Sequence, residues 1–327
     1  MKNILITGGL GYIGSKFTEN FHDNYDITVF DTSFYNHSKT KENFKLIKAD
    51  IRQIEKIHLD DIDVVVHMSE LSNDPLGEFN PELTNEINHE STKKLLNLSS
   101  ESGVKKFIYM SSASVYGFNE NLLDEKSETN PLTQYAKAKI NNENYILNNQ
   151  FNFETIILRN STVFGFSNNL RLDLVINDLT FNAVNNGLIK LISDGSPKRP
   201  FVHVEDLCKL INIIILDKRN LDKELFNVGD NSLNYSIREI SEIISELTKV
   251  ENIEIGEKDP DQRSYYLSFD KLNKTFTNFK IEKNMEKGIN DLILNFNSYQ
   301  LTGNERRLTK LSKLVDEKML DTNLYWL

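Results

Sequence analysis

Ile4-Leu5-Ile6-Thr7-Gly8-Gly9-Leu10-Gly11-Tyr12-Ile13-Gly14 joins an apolar run to three glycines at G-x-x-G-x-x-G spacing, and a second apolar pattern follows. Asn3–Thr7 reads as a strand and Gly14–Phe21 as a helix. Gly8 allows a tight turn after the strand. Gly11 lets the backbone approach a pyrophosphate, and Gly14 lets the helix pack closely on the strand. The N–H groups at the helix start, from Tyr12 and Ile13 onward, carry partial positive charge that suits phosphate oxygens. Three glycines alone are a weak signal. Between a strand and a helix at the start of the chain they are a strong one.

Asp26–Phe30 reads as a second strand, and Asp31 follows it. A carboxylate about 20 residues beyond such a loop accepts hydrogen bonds from the adenosine ribose and repels a 2′-phosphate. The expected cofactor is therefore NAD rather than NADP, in a Rossmann-type pocket.

Outward from this unit the same rhythm continues. Lys45–Lys48, Val64–His67, Phe107–Met110 and Thr155–Leu158 read as strands. Asn88–Ser102 reads as a helix ending at Gly103, and Asn130-Pro131 reads as the start of another, with Asn as cap and Pro in the first turn. Alternation of this kind predicts an α/β fold with a Rossmann-like, doubly wound parallel sheet and a smaller C-terminal substrate-binding cap. After Arg159 the rhythm breaks. A helix is expected around Leu174–Asn186, strands at Phe201–Val204 and Leu225–Val228 with helix between them, and a last helix near Leu308–Lys318. The expected division is 1–160, with 201–228 returning to it, for NAD, and 161–200 with 229–327 as the cap.

Composition narrows the function classes. The 327 residues hold 38 Lys and Arg against 48 Asp and Glu, a formal net charge of −10. No basic run exceeds Lys105-Lys106 or Arg306-Arg307, so a nucleic-acid partner is not expected. Cys208 is the single cysteine, which suits a reducing cytoplasm and excludes a disulfide within one chain. No apolar run approaches the roughly 20 residues of a membrane helix. The six histidines form no ligand pair of the H-E-x-x-H kind, so no metal is expected. His67 and His203 read as core histidines, and Cys208 as packing.

Tyr135 and Lys139 stand four residues apart on one helical face. A phenol titrates near ~10, and an adjacent ammonium favours its ionised form. Such a tyrosine can take a proton from a sugar hydroxyl. Ser111-Ser112-Ala113-Ser114 ends a strand, where open α/β sheets bind ligands.

With these segments in order, the chain resembles the extended short-chain dehydrogenase/reductases, specifically the NAD-dependent epimerase/dehydratase group acting on nucleotide sugars. TGGLGYIGS is similar to that family's cofactor loop, and Asp50-Ile51 resembles the pair bordering adenine. SSASVYG followed by YAKAK resembles its catalytic segment. The resemblance implies Ser112 as the catalytic Ser/Thr, Tyr135 as acid/base and Lys139 as the lysine that also holds the nicotinamide ribose. Met68 and Ser69 fall on the stretch that follows strand 4 along the cofactor. RPFVHVEDL, Arg199–Leu207, resembles the family stretch whose Arg meets the nucleotide diphosphate. Arg171 and Arg263 are further candidates, since guanidinium matches phosphate in a bidentate way. Ser114, Asn73 and Asn160 are candidate sugar contacts.

The chain departs from the family pattern in three places. Ala113 and Ser114 stand where dehydratases carry an acidic pair, which argues against 4,6-dehydration. Glu70 replaces a small residue near the cofactor and is a candidate hydroxyl ligand. Thr162 replaces an Asn that often contacts substrate phosphate. Together they imply an enzyme that oxidises the C4 hydroxyl of a nucleotide-diphosphate sugar to a 4-keto sugar. The outcome is either a 4-dehydrogenase, towards which Glu70 and Thr162 lean, or a 4-epimerase with tightly bound NAD. A non-catalytic NAD sensor is the reading outside enzymes. The resemblance also implies a homodimer through the helices at 88–102 and 131–150.

Overall fold

The computed structural model describes residues 1–35, 44–257 and 264–327. Its main sheet has seven parallel strands: β1 (Lys2–Thr7), β2 (Tyr25–Asp31), β3 (Lys45–Lys48), β4 (Val64–His67), β5 (Lys106–Ser112), β6 (Glu154–Asn160) and β7 (Glu224–Val228). Their order is β7-β6-β5-β4-β1-β2-β3. The chain winds outward from β1 through β3, then crosses back to lay β4 on the other side of β1. A cleft therefore opens between the carboxyl ends of β1 and β4, the place where such sheets bind ligands.

The inner strands are apolar without alternation because both faces are covered. Ile4, Ile6, Val64, Val66, Ile108 and Ile156 point to one core, shared with α1 (Tyr12–Phe21) and α6 (Val204–Leu216). Leu5, Val65, Phe107 and Ile157 point to the other, shared with α3 (Ser91–Glu101) and α4 (Gln134–Asn148). A third core joins α5 (Val175–Asn186) to the helices Ile237–Thr248 and Met285–Phe296 and forms the second lobe.

Two expectations are corrected. The catalytic helix starts at Gln134 rather than at Pro131. Thr133 Oγ1 accepts the Ala136 N–H at 3.2 Å and is the cap. Asn130 precedes a proline, which disfavours helical backbone, and its N–H donates to Val115 O at 2.9 Å instead. Thr162–Phe164, just past the point where the strand–helix rhythm breaks, is a short strand that pairs with Lys198–His203, itself paired with Asn234–Ser236. Such three-residue strands are too short to show a period. Finally, α7 (Arg307–Asp316) and the tail after it do not join the second lobe's core. Leu311, Leu314, Leu320 and Leu324 are buried with Leu5, Phe30 and Ile51 of the first lobe.

Candidate active site

The glycine loop is shaped by contacts that leave no room for side chains. Gly8 has φ +71°, and a Cβ there would lie 2.8 Å from the backbone carbon of Met68. A Cβ on Gly14 would lie 2.6 Å from Gly9 Cα. Met68 N donates to Thr7 O at 3.0 Å, so the ends of β1 and β4 run backbone to backbone, with Met68 and Ser69 against Gly8. Gly11 caps α1 with no side chain to satisfy the first N–H groups, which leaves those donors for a ligand. The Tyr12 side chain turns away and donates to Gly165 O at 2.6 Å, linking the loop to the second lobe. Asp31 accepts from Leu10 N at 3.0 Å and Ser33 N at 2.7 Å. It thus holds the loop, and burial pushes its carboxyl up.

At the carboxyl end of β5, Ser112 lies near enough to Tyr135 to favour its ionised form, and Ser114 Oγ donates to Ser112 Oγ at 3.0 Å. Tyr135 is half-buried beside Gly77, whose Cβ position would lie 2.8 Å from Tyr135 Cβ. The Lys139 ammonium sits 5.4 Å from the Tyr135 ring centroid. Burial, and then the charge of Glu70, hold the Tyr135 phenol well above its ordinary value, while Ser112 and Arg171 oppose this.

Glu70 adds to the effect of burial because it lies at the centre of the site. Its carboxylate forms an ion pair with Lys139, and both side chains are buried, at 3% and 5% exposure. Its other oxygen accepts the Tyr109 hydroxyl at 2.9 Å. Lys139 also donates to Met110 O. Glu70 was expected to meet a substrate hydroxyl; in the structure it is spent on the lysine, whose ammonium burial alone would disfavour.

A profile describing the NAD dependent epimerase/dehydratase family matches residues 4–229. The chain belongs to this family. It is an NAD-dependent enzyme. A protein of Methanocaldococcus jannaschii, provisionally assigned as a UDP-glucose 4-epimerase, is 30% identical over 302 residues, covering 89% of this chain and 97% of that one. The UDP-N-acetylglucosamine 4-epimerase from Methanobrevibacter ruminantium, solved with UDP-N-acetylmuramic acid, superposes with a TM-score of 0.77 at 25% identity, over 90% and 99% of the two chains. The tunicamycin-pathway NDP-hexosamine 5,6-dehydratase TunA shares the fold at a TM-score of 0.82 and 21% identity, over 92% and 99%.

The residues present fit NAD. At Gly8, Gly11 and Gly14 a Cβ would press on the loop's own backbone or on Met68, which keeps the turn tight, and the free end of α1 supplies donors for the pyrophosphate. Other expected contacts are differently engaged. Asp50 caps the turn Ile51–Gln53 and is held by Arg52 through Nε and a terminal nitrogen, both at 2.8 Å, rather than left open beside buried Ile51. Asn73 caps α2 (Asp74–Phe79) by accepting from Leu76 N at 2.9 Å and donates to Asp173, so its role as a sugar ligand gives way to a helix cap. Arg171 is buried and paired with Asp173, 2.9 Å away, and donates to Ser72 Oγ. Arg199 bonds Lys198 O and lies over the Tyr265 ring, 5.5 Å from its centroid. Asn160 Nδ2 donates to Ser111 O at 3.0 Å, while its buried Oδ1 has no hydrogen-bond partner among the described residues. Thr162 stands half-buried at the start of its strand. Arg263 lies outside the described residues.

His67 and His203 are buried, as expected. His67 bonds the hydroxyls of Thr7 at 2.6 Å and Thr92 at 2.8 Å, and burial pulls its imidazole down to about 3. Cys208 is packed in the first core. Among the described residues no helix is long and apolar enough to cross a membrane.

Sequence reasoning missed the group that sets the catalytic helix in place. Arg159 on β6 makes a buried ion pair with Glu143 on α4 at 2.6 Å, and Glu143 also accepts from Ser111. Glu143 lies one turn beyond Lys139, a spacing that could have marked it as inward-facing. Asn169 and Arg307, bonded to each other at 2.9 Å, carried no local signal at all.

Proposed function

We propose that this enzyme is a nucleotide-sugar 4-epimerase that oxidises the C4 hydroxyl of a nucleotide-diphosphate sugar to a 4-keto sugar and reduces it on the other face. The observation that carries this reading is the convergence of Ser112, Tyr135 and Lys139 at the end of β5, beside the cleft between β1 and β4. Tyr135 Oη takes the C4 hydroxyl proton as general base and returns a proton when C4 is re-reduced. Ser112 holds the same hydroxyl in line with the phenol, and Ser114 orients Ser112. Lys139, held by Glu70 and Met110 O, keeps a positive charge beside the phenol. NAD, when bound, supplies the hydride acceptor. Ala113 and Ser114 offer no acid for dehydration.

The sequence alone leaned towards net oxidation by a 4-dehydrogenase. Return of the hydride is favoured here because two of the relatives above are assigned as 4-epimerases, both matched along almost their whole length. Incubation with UDP-, GDP-, CDP- and dTDP-sugars decides the matter. A product of unchanged mass and inverted C4, without net NADH, supports the proposal. Net NADH would support the dehydrogenase instead. Tyr135→Phe is expected to lower turnover by about 10²–10⁴-fold, and full turnover in that variant would refute the mechanism.

A further inference from the structure

The end of the chain leaves the second lobe and crosses back over the first. One carboxylate sets its course: Glu305 accepts the backbone N–H groups of Thr302 at 2.7 Å and Gly303 at 2.9 Å, and the Tyr299 hydroxyl at 2.9 Å. Helix α7 then begins at Arg307, whose side chain is buried, the residue being 2% exposed. Its guanidinium donates to Asn304 O at 2.8 Å and to the backbone and side-chain oxygens of Asn169 at 3.0 and 2.9 Å. Asn169 Nδ2 donates in turn to Leu10 O, inside the glycine loop. Two side chains thus tie the C-terminal helix to the phosphate-binding turn.

The same guanidinium lies 4.3 Å from the centroid of the Tyr35 ring, and its charge is felt at Asp31. Further along, Trp326 Nε1 donates to Thr32 O at 2.8 Å, and Arg52, already paired with Asp50, donates to Asn323 O at 2.7 Å. The segment therefore reaches the glycine loop, the stretch after β2 and the stretch after β3. These are the three places where the adenosine half of a dinucleotide meets this fold. Four leucines of the segment are buried beneath it and must be exposed if it lifts.

Charge adds a second observation. Among the described residues none of the hydrogen bonds of Arg307 goes to a carboxylate. Burial and the neighbouring Arg171 together bring its guanidinium down to about 10. Asp173, which pairs with Arg171, and Asp31 offset this only in part, and a further anion would favour the buried guanidinium. A pyrophosphate is an anion with the geometry a guanidinium recognises.

We propose that residues 304–327 form a strap over the adenosine end of the cofactor site, in which Arg307 binds the dinucleotide and the segment retains it between turnovers. Retention suits an enzyme that takes a hydride and gives it back, since a dehydrogenase must release NADH in every cycle. That last step rests on the 4-epimerase reading; the strap itself does not.

The test is the rate at which bound NADH leaves the full-length protein, read by the fall in its fluorescence when excess NAD is added. Arg307→Ala is expected to release NADH about tenfold faster or more, the size of one charge-assisted hydrogen bond to a phosphate. Trp326→Ala, which loosens the tail without touching the cofactor, is expected to speed release as well. Arg307→Lys, which keeps the charge, should fall between Arg307→Ala and the native protein. Thermal melting of each variant shows that it is folded; if Arg307→Ala does not fold, Arg307→Lys and Trp326→Ala carry the comparison. Release within twofold of the native rate in the folded variants would overturn the strap. Since this readout needs no sugar, failure of the epimerase reading in the sugar panel is told apart from failure here.

Discussion

Replacing Glu70 by Gln removes one charge from the centre of the site and leaves its shape. The amide oxygen still accepts the Tyr109 hydroxyl, which now bonds Glu70 at 2.9 Å. Lys139 retains its bond to Met110 O and the favourable charge of Glu143, while losing the larger support that Glu70 gives its ammonium against burial. That ammonium is 5.4 Å from the Tyr135 ring centroid. At an effective dielectric near 20 an unopposed charge at that range favours phenolate by about 3 kcal/mol, or roughly two pH units. The other charges facing Tyr135, Asp74 and Arg171, act in opposite directions and remain. In the oxidation direction the phenolate is the active form, so the rate rises with pH through the Tyr135 pKa. Removing Glu70's charge lowers that pKa and moves the rise to lower pH, by about one to two units. The assay is kcat/KM against pH for sugar oxidation, native and Glu70→Gln side by side. A rise that stays in place, or moves to higher pH, would refute the claim that Glu70 restrains the base.

Other outcomes follow from the same contacts. Gly14→Ala places a Cβ 2.6 Å from Gly9 Cα, where only backbone can yield; it is expected to cost about 1–3 kcal/mol of stability and to abolish NADH binding, measured by melting and by fluorescence titration. His67 is held neutral, at about 3, and His203 at about 4. Both lie below the unfolded value, so their contribution is complete above about pH 6.5 and falls as the unfolded chain takes up protons. Urea midpoints should therefore drop between pH 6.5 and 4.5, by roughly 1.4 kcal/mol per histidine per unit, and His67→Gln should flatten the drop. Finally, a homodimer through α3 and α4 is expected; sedimentation at micromolar concentration should give twice the monomer mass, and a monomer would refute it.

Features carried by short-range rules were legible in the chain. The strand–glycine–helix unit, Asp31 after β2, and Tyr135 with Lys139 one turn apart are written in fixed spacings, because turn geometry and helical period act within a few residues. The sheet could be read for the same reason, since buried parallel strands are continuous apolar runs. Helix starts were less secure: Asn130-Pro131 carried a good local signal, but Thr133 won once Asn130 was drawn to Val115.

Only the tertiary structure decided what Glu70 and Arg307 do. Glu70 and Lys139 are 69 residues apart in the chain, and Arg307 and Asn169 are 138 apart. No spacing rule reaches so far. A buried charge takes its role from whichever partner the fold brings within bonding distance, since without one its burial would be too costly to keep. Glu70 thus became the lysine's counter-charge instead of a sugar ligand. The last helix, which reads as an ordinary part of the second lobe, lies instead across the first, beside the glycine loop with which the chain begins.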